Sequence, residues 1–181
     1  SHISRLICKP QPVAVYPEVW ISSGLYKGKA EEIGFFPFTM KHPVTLSHEF
    51  SGVLDQLEYT ADHLFITGRA GTGKSTLLQV FRSTTKKRVA VLAPTGIAAL
   101  NVRGQTIHSF FGFPPRLLNK TEIEKRPNNR VYKNLDMIII DEISMVRADL
   151  LDNMDLFLQK NRNDRRPFGG VQMVYFGDLF Q

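Results

Sequence analysis

Nine residues, Gly68-Arg69-Ala70-Gly71-Thr72-Gly73-Lys74-Ser75-Thr76, follow the short apolar run Leu64-Phe65-Ile66. Their spacing fits the pattern GxxxxGK[ST], in which glycines let a loop close around a polyphosphate with its backbone N–H groups turned inward. Lys74 supplies a point charge for β and γ phosphates, and the Ser75 hydroxyl is suited to Mg²⁺. Thr76-Leu77-Leu78-Gln79-Val80-Phe81 then reads as a helix whose N-terminal dipole also favours an anion. The expected ligand is a nucleoside triphosphate, with ATP and Mg²⁺ as the pair to hold.

A second group of reactive residues ends the apolar run Met137-Ile138-Ile139-Ile140, which closes on Asp141-Glu142. Asp141 is suited to Mg²⁺ or its water shell, and Glu142 to orienting or deprotonating an attacking water. A carboxylate poised over water favours hydrolysis over transfer to another substrate. A third run, Val171 to Phe176, leads into Gly177-Asp178-Leu179-Phe180-Gln181, where Gln181 has the chemistry to report a γ-phosphate.

The elements that must position these residues follow from hydrophobic period. Strands are expected at Leu64–Thr67, Val89–Ala93, Met137–Asp141 and Val171–Phe176, all nearly continuous in apolar residues. Such strands are buried on both faces, which marks a parallel sheet covered by helices. Helices are expected from Ser47 through Leu57, after Lys74, near Ile97–Asn101, and from about Met145 to Lys160. In the last, Val146, Leu150, Leu151, Met154, Phe157 and Leu158 form a core stripe. The fold class is therefore α/β, a P-loop NTPase. Residues 1–43 read as a peripheral extension rich in proline near its start, and 44–181 as the catalytic-type domain.

The single cysteine, Cys8, excludes an internal disulfide, and no apolar run reaches membrane-spanning length. We expect a soluble intracellular protein, cytoplasmic or nucleoid-associated. The net charge of +6 is unevenly spread: residues 82–133 hold 11 Lys or Arg against only Glu122 and Glu124. A basic segment of this kind suits a polyanion track as well as a solvated face.

Four segments together resemble superfamily 1 helicases of the petite-integration-frequency (Pif-type) and RecD-like family. They are Gly68–Ser75; Ala93-Pro94-Thr95-Gly96-Ile97-Ala98-Ala99-Leu100-Asn101 with Thr106-Ile107-His108-Ser109-Phe110-Phe111; Asp141-Glu142-Ile143-Ser144-Met145; and Pro167-Phe168-Gly169-Gly170 leading into Gly177-Asp178-Leu179-Phe180-Gln181. The resemblance covers roughly residues 46–181. It implies a RecA-like parallel sheet with helices on both faces, in the first of two such domains. It also implies ATP-driven movement on single-stranded DNA, generally 5′ to 3′, and unwinding at duplex junctions, with ties to DNA repair and recombination.

By position, Lys74, Glu142 and Gln181 would be catalytic, and Ser75 and Asp141 would hold Mg²⁺. Gly68, Arg69, Ala70, Gly71, Thr72, Gly73, Lys74, Ser75 and Thr76 would contact the nucleotide. Thr95, Asn101, His108, Ser109 and Phe110 would lie against DNA, where aromatics stack on bases and small polar groups hold the backbone. Gly112-Phe113-Pro114-Pro115, with Arg116, Lys120, Lys125, Arg126 and Arg130 beyond, reads as a basic surface loop, with a strand-separating wedge as the alternative.

Two departures from the family pattern stand out. The family often carries a Leu-Ser-x-Glu-Gln element whose glutamine reads adenine, whereas this chain has Leu46-Ser47-His48-Glu49-Phe50. Phe50 is expected to stack on the base without reading its edge. The second RecA-like domain, which would bring arginine fingers, is expected outside this chain, leaving a binding half-site with slow turnover. Other classes sharing the phosphate loop are an AAA+ or recombinase-type ATPase and a nucleotide-dependent binding module without turnover.

Overall fold

The computed structural model describes residues 48–68 and 73–178. Within them five parallel strands form one sheet: β1 (Leu64–Thr67), β2 (Val89–Ala93), β3 (Gln105–Thr106), β4 (Met137–Ile140) and β5 (Gln172–Gly177). Their spatial order is β1-β5-β4-β2-β3. The helices are α1 (His48–Tyr59), α2 (Lys74–Thr84), α3 (Gly96–Asn101), α4 (Ile107–Phe111), α5 (Arg130–Lys133) and α6 (Ala148–Arg162). Among the described residues no helix is long and apolar enough to cross a membrane.

Strand alternation divides the core into two layers. On β4, Met137 and Ile139 pack with Leu57 of α1, Leu77, Leu78 and Phe81 of α2, and Val174 and Phe176 of β5. Ile138 and Ile140 face the other way, into a cluster with Ile107, Phe111, Met154, Phe157, Leu158 and Met173. All four β4 residues are buried, as a central strand covered by helices on both faces requires.

Two details differ from the sequence expectation. Helix α6 starts at Ala148, because Ile143–Met145 winds into a separate 3₁₀ turn and Val146 stays extended. The other is β3 with α4, which the apolar period did not reveal. Gly104 makes β3 possible: a Cβ there would sit 2.3 Å from the Val91 carbonyl oxygen, so only glycine lets this strand close on β2. The Thr106 Oγ1 then accepts the Ser109 N–H at 3.1 Å and starts α4 as its N-cap.

Candidate nucleotide site at the carboxyl edge of the sheet

In a parallel sheet every strand ends on the same side, and ligands gather in the crevice beyond those ends. The register aligns the ends here: Thr67 pairs with Gly177, Ile140 with Tyr175, and Leu92 with Ile140. Gly68, Asp178, Asp141 and Thr95 therefore all leave the sheet at one edge. The Asp141 N–H donates to the Leu92 carbonyl at 2.9 Å, extending the β4–β2 ladder to the carboxylate.

Gly73 precedes α2 in the left-handed region, φ 87°, a conformation glycine adopts without steric cost. Lys74 and Ser75 thus begin the helix, where unpaired N–H groups and the dipole favour phosphate. The Lys74 Nζ donates to the Gly68 carbonyl oxygen, turning the side chain back toward the end of β1. Ser75 is exposed and Thr76 half-buried. Arg69, Ala70, Gly71, Thr72 and Gln181 lie outside the described residues.

Burial pushes the Asp141 carboxyl above its ordinary range, and the neighbouring Glu142 charge adds to this. The Glu142 N–H, donated to Asp141, and the Lys74 ammonium act in the opposite direction. Lys74 and Asp141 are thus close enough to feel each other's charge. A divalent cation bound between Ser75 and Asp141 would offset the desolvation that disfavours this carboxylate. The donor set, one hydroxyl and a carboxylate beside phosphate oxygens, fits the hard oxygen chemistry of Mg²⁺.

Glu142 itself is left-handed, φ 53° and ψ 45°. For a non-glycine residue this costs on the order of 1–3 kcal/mol and persists only where its surroundings fix it. The turn that follows does so in part: the Met145 N–H donates to the Glu142 carbonyl at 3.0 Å, and the Val146 N–H to that of Ile143 at 2.9 Å.

The segment expected to face DNA splits into exposed and packed residues. Thr95, Asn101 and Ser109 are exposed, and the Thr95 Oγ1 also accepts the Ala98 N–H as the cap of α3. His108 is half-buried. Phe110 is half-buried against the core with its ring edge-on to Phe111 and Tyr132, so packing claims much of its surface. Phe50 differs most from expectation: at 2% exposure it belongs to the α1–α2 core layer, and its ring is not presented to a base. Sequence reasoning missed Ile97 and Leu100, which stand 76% and 78% exposed on α3 beside Thr95 and Asn101. The signal was available, since both lie off the face that carries the buried Ala99.

The basic loop after α4 is fastened down. Phe113 is buried, which removes it as a wedge tip. Side chains of α6 bond the loop's carbonyls: Asn153 to Leu118 at 3.2 Å and Lys160 to Ile123 at 2.6 Å. Much of the local charge is also engaged. Arg116 pairs with Glu122 at 2.6 Å, Arg88 with Asp136 at 2.8 Å, and Arg82 and Arg126 donate to backbone carbonyls. A cleft of about 260 Å³ lies between this loop and α6, lined by His108, Pro114, Arg116, Leu118, Arg147 and Leu150 among others.

A family model described as PIF1-like helicase matches residues 45–181. The chain belongs to this family. It is 39% identical to the ATP-dependent DNA helicase PIF1 of Saccharomyces cerevisiae over 78% of its own length and 18% of that protein. The human ATP-dependent DNA helicase PIF1 is 37% identical over 75% of this chain and 22% of that protein. Unliganded Pif1 from Bacteroides superposes with a TM-score of 0.69 at 40% identity, over 75% of this chain and 32% of that one. A Bacteroides Pif1 helicase in complex with ADP-AlF3 and ssDNA gives 0.67 at 40% identity, with the same coverage. The chain thus spans about a fifth of the length of these curated relatives. Family membership sets aside the AAA+ and recombinase readings, which share only the phosphate loop and the Asp-Glu pair.

Proposed function

We propose that this chain is the ATP-binding motor domain of an ATP-dependent DNA helicase that tracks on single-stranded DNA from 5′ to 3′. The observation that carries this reading is the convergence of Gly73-Lys74-Ser75, Asp141-Glu142 and Gly177-Asp178 on one sheet edge, next to the exposed Thr95, Asn101 and Ser109. Lys74 steadies the β and γ phosphates, Ser75 and Asp141 hold Mg²⁺, Glu142 orients water, and Gln181 senses the γ-phosphate. Ile97 and Leu100 add apolar surface suited to sugar and base faces of a single strand. His108 and Phe110 serve DNA through whatever face packing leaves open.

A second RecA-like domain completes the site and supplies arginine fingers, each worth roughly a thousandfold or more in related phosphoryl transfers. The 181-residue chain by itself therefore acts as a binding module: it takes up nucleotide and hydrolyses it slowly. Phe50 offers no hydrogen bond to a base edge, so ATP and GTP should be hydrolysed at rates within a few-fold of each other by the full-length protein. A strong preference for ATP contradicts that part of the reading.

The full-length protein carrying this chain tests the whole. Hydrolysis should rise on adding single-stranded DNA, and forks with a 5′ tail should be unwound in preference to those with a 3′ tail. Turnover indifferent to DNA would defeat the proposal, and a 3′-tail preference would reverse its polarity.

A further inference from the structure

Gly177 ends β5, and what it lacks matters more than its backbone. A Cβ at this position would meet the Ile143 Cγ2 at 2.7 Å, with the Ile143 and Ser144 backbone nitrogens at 3.7 Å. Real Cβ atoms do not approach other heavy atoms so closely, so one side of the contact would have to move. Gly177 is not among the residues of positive φ. Alanine therefore meets no backbone conflict there, and the obstacle is the Ile143 methyl alone.

Ile143 is no arbitrary neighbour. It directly follows Glu142, the left-handed residue at φ 53°, and opens the 3₁₀ turn Ile143–Met145. Its side chain packs half-buried against the larger core cluster, which limits where it can retreat. On the other side of the notch, Gly177 is buried, registered against Thr67 of β1, and leads straight into Asp178. The β5 end and the carboxylate turn therefore meet at one methyl group, with the phosphate-loop strand paired to the other side of β5.

We infer that Gly177 and Ile143 are positioning residues: the methyl seated in the space of the missing side chain holds the Glu142 turn in register with the carboxyl end of β5. This rests on the hydrolytic reading of Glu142. Relaxing that contact from 2.7 Å to an ordinary distance requires the Ile143 methyl to give by about an ångström, and on this inference the Glu142 backbone just ahead of it moves as well. Misplacement on that scale costs up to about a hundredfold in rate when a reacting group must be aligned. Nucleotide affinity, carried by Lys74 and the phosphate loop across the site, should be spared.

The test uses the full-length protein with Gly177→Ala, Ile143→Leu and the double variant. Leucine keeps the volume of isoleucine but has no Cγ2, so it removes the atom in conflict. Gly177→Ala should lower kcat about tenfold to a hundredfold, with KM and the affinity for ADP within a few-fold of wild type. Adding Ile143→Leu should restore most of kcat, and the two changes should be non-additive in thermal unfolding temperature. Unchanged kcat in Gly177→Ala overturns the inference, as does a parallel loss of affinity and kcat, which marks simple misfolding of the edge. Failure of Ile143→Leu to rescue overturns the role of the methyl. Absence of turnover in the wild type would instead sink the hydrolytic reading, while the thermal coupling still decides whether the contact exists.

Discussion

The two edges of the sheet both contain left-handed residues that are not glycine, and they use them differently. At the carboxyl edge Glu142 adopts φ 53° on a half-buried turn beside Asp141. At the amino edge Phe168 adopts φ 52° within the turn Pro167–Gly170, but there it is buried at 3% exposure. The Asp155 carboxylate accepts the Phe168 N–H at 2.6 Å, and the Arg162 Nε donates to the Gly169 carbonyl at 2.6 Å. Around it the Lys87 ammonium donates to the Leu57 and Thr60 carbonyls and to Gln172 Oε1, and burial lowers its pKa. Strain is thus clamped by burial and side-chain hydrogen bonds at one edge, and carried on a half-buried turn next to Asp141 at the other. Backbone strain alone does not mark a site, so the proposed role of Glu142 rests on its place beside Asp141 at the carboxyl edge.

If this division holds, substitutions at the two edges should separate activity from stability. The largest effect belongs to Glu142→Gln, which should lower ATP turnover of the full-length protein by about 10²–10⁴-fold while leaving nucleotide affinity and melting temperature in place. A fall in melting temperature as large as the loss of rate implies would break the contrast, because the carboxyl edge would then be structural too.

Next comes Phe168→Ala at the opposite edge. Removing this buried ring, which also meets His63 edge-on at 5.8 Å, should cost about 3–5 kcal/mol in denaturant unfolding. Nucleotide affinity of the folded fraction should not change. If affinity fell while stability held, the amino edge would be reaching the site.

The smallest effect sharpens the comparison through pH. His63 Nδ1 accepts the Met173 N–H at 3.0 Å, which only the unprotonated nitrogen can do. Burial lowers its pKa below the ordinary 6.5, opposed by the charges of Asp62 and Asp155. A lowered folded pKa means the unfolded chain binds the proton more tightly, so stability rises with pH in this range. The contribution is complete above about 6.5 and is lost as pH falls from there through the folded value. Melting temperature should therefore drop less between pH 7 and pH 5 in His63→Gln than in the unaltered chain. Equal drops would remove His63 from the clamp.

What could be read in advance follows the same physics. β1, β2 and β4 were legible because continuous apolar runs have one outcome in a parallel sheet, and the phosphate loop because its chemistry needs those residues in that order. β3 was not legible, because two residues carry no period and Gly104 acts through close approach to Val91, a tertiary event. Phe50 occupies the position of a base-reading residue in the family pattern, yet burial with Leu57 and Phe81 decides its surroundings. Pro167–Gly170 reads as an approach to the site because it shortly precedes Gly177 in sequence. The six-residue strand β5 runs from just after this turn to Gly177, and at about 3.3 Å per residue it puts the turn roughly 20 Å away.

The central claim is that the carboxyl edge is half of an ATP site, and nucleotide binding by the 181-residue chain tests it directly. Titration with Mg²⁺ and a fluorescent ATP analogue should show saturable binding that Lys74→Ala weakens by at least tenfold, with no change in thermal unfolding. Binding of equal strength in Lys74→Ala, or none by the folded chain, would contradict the account.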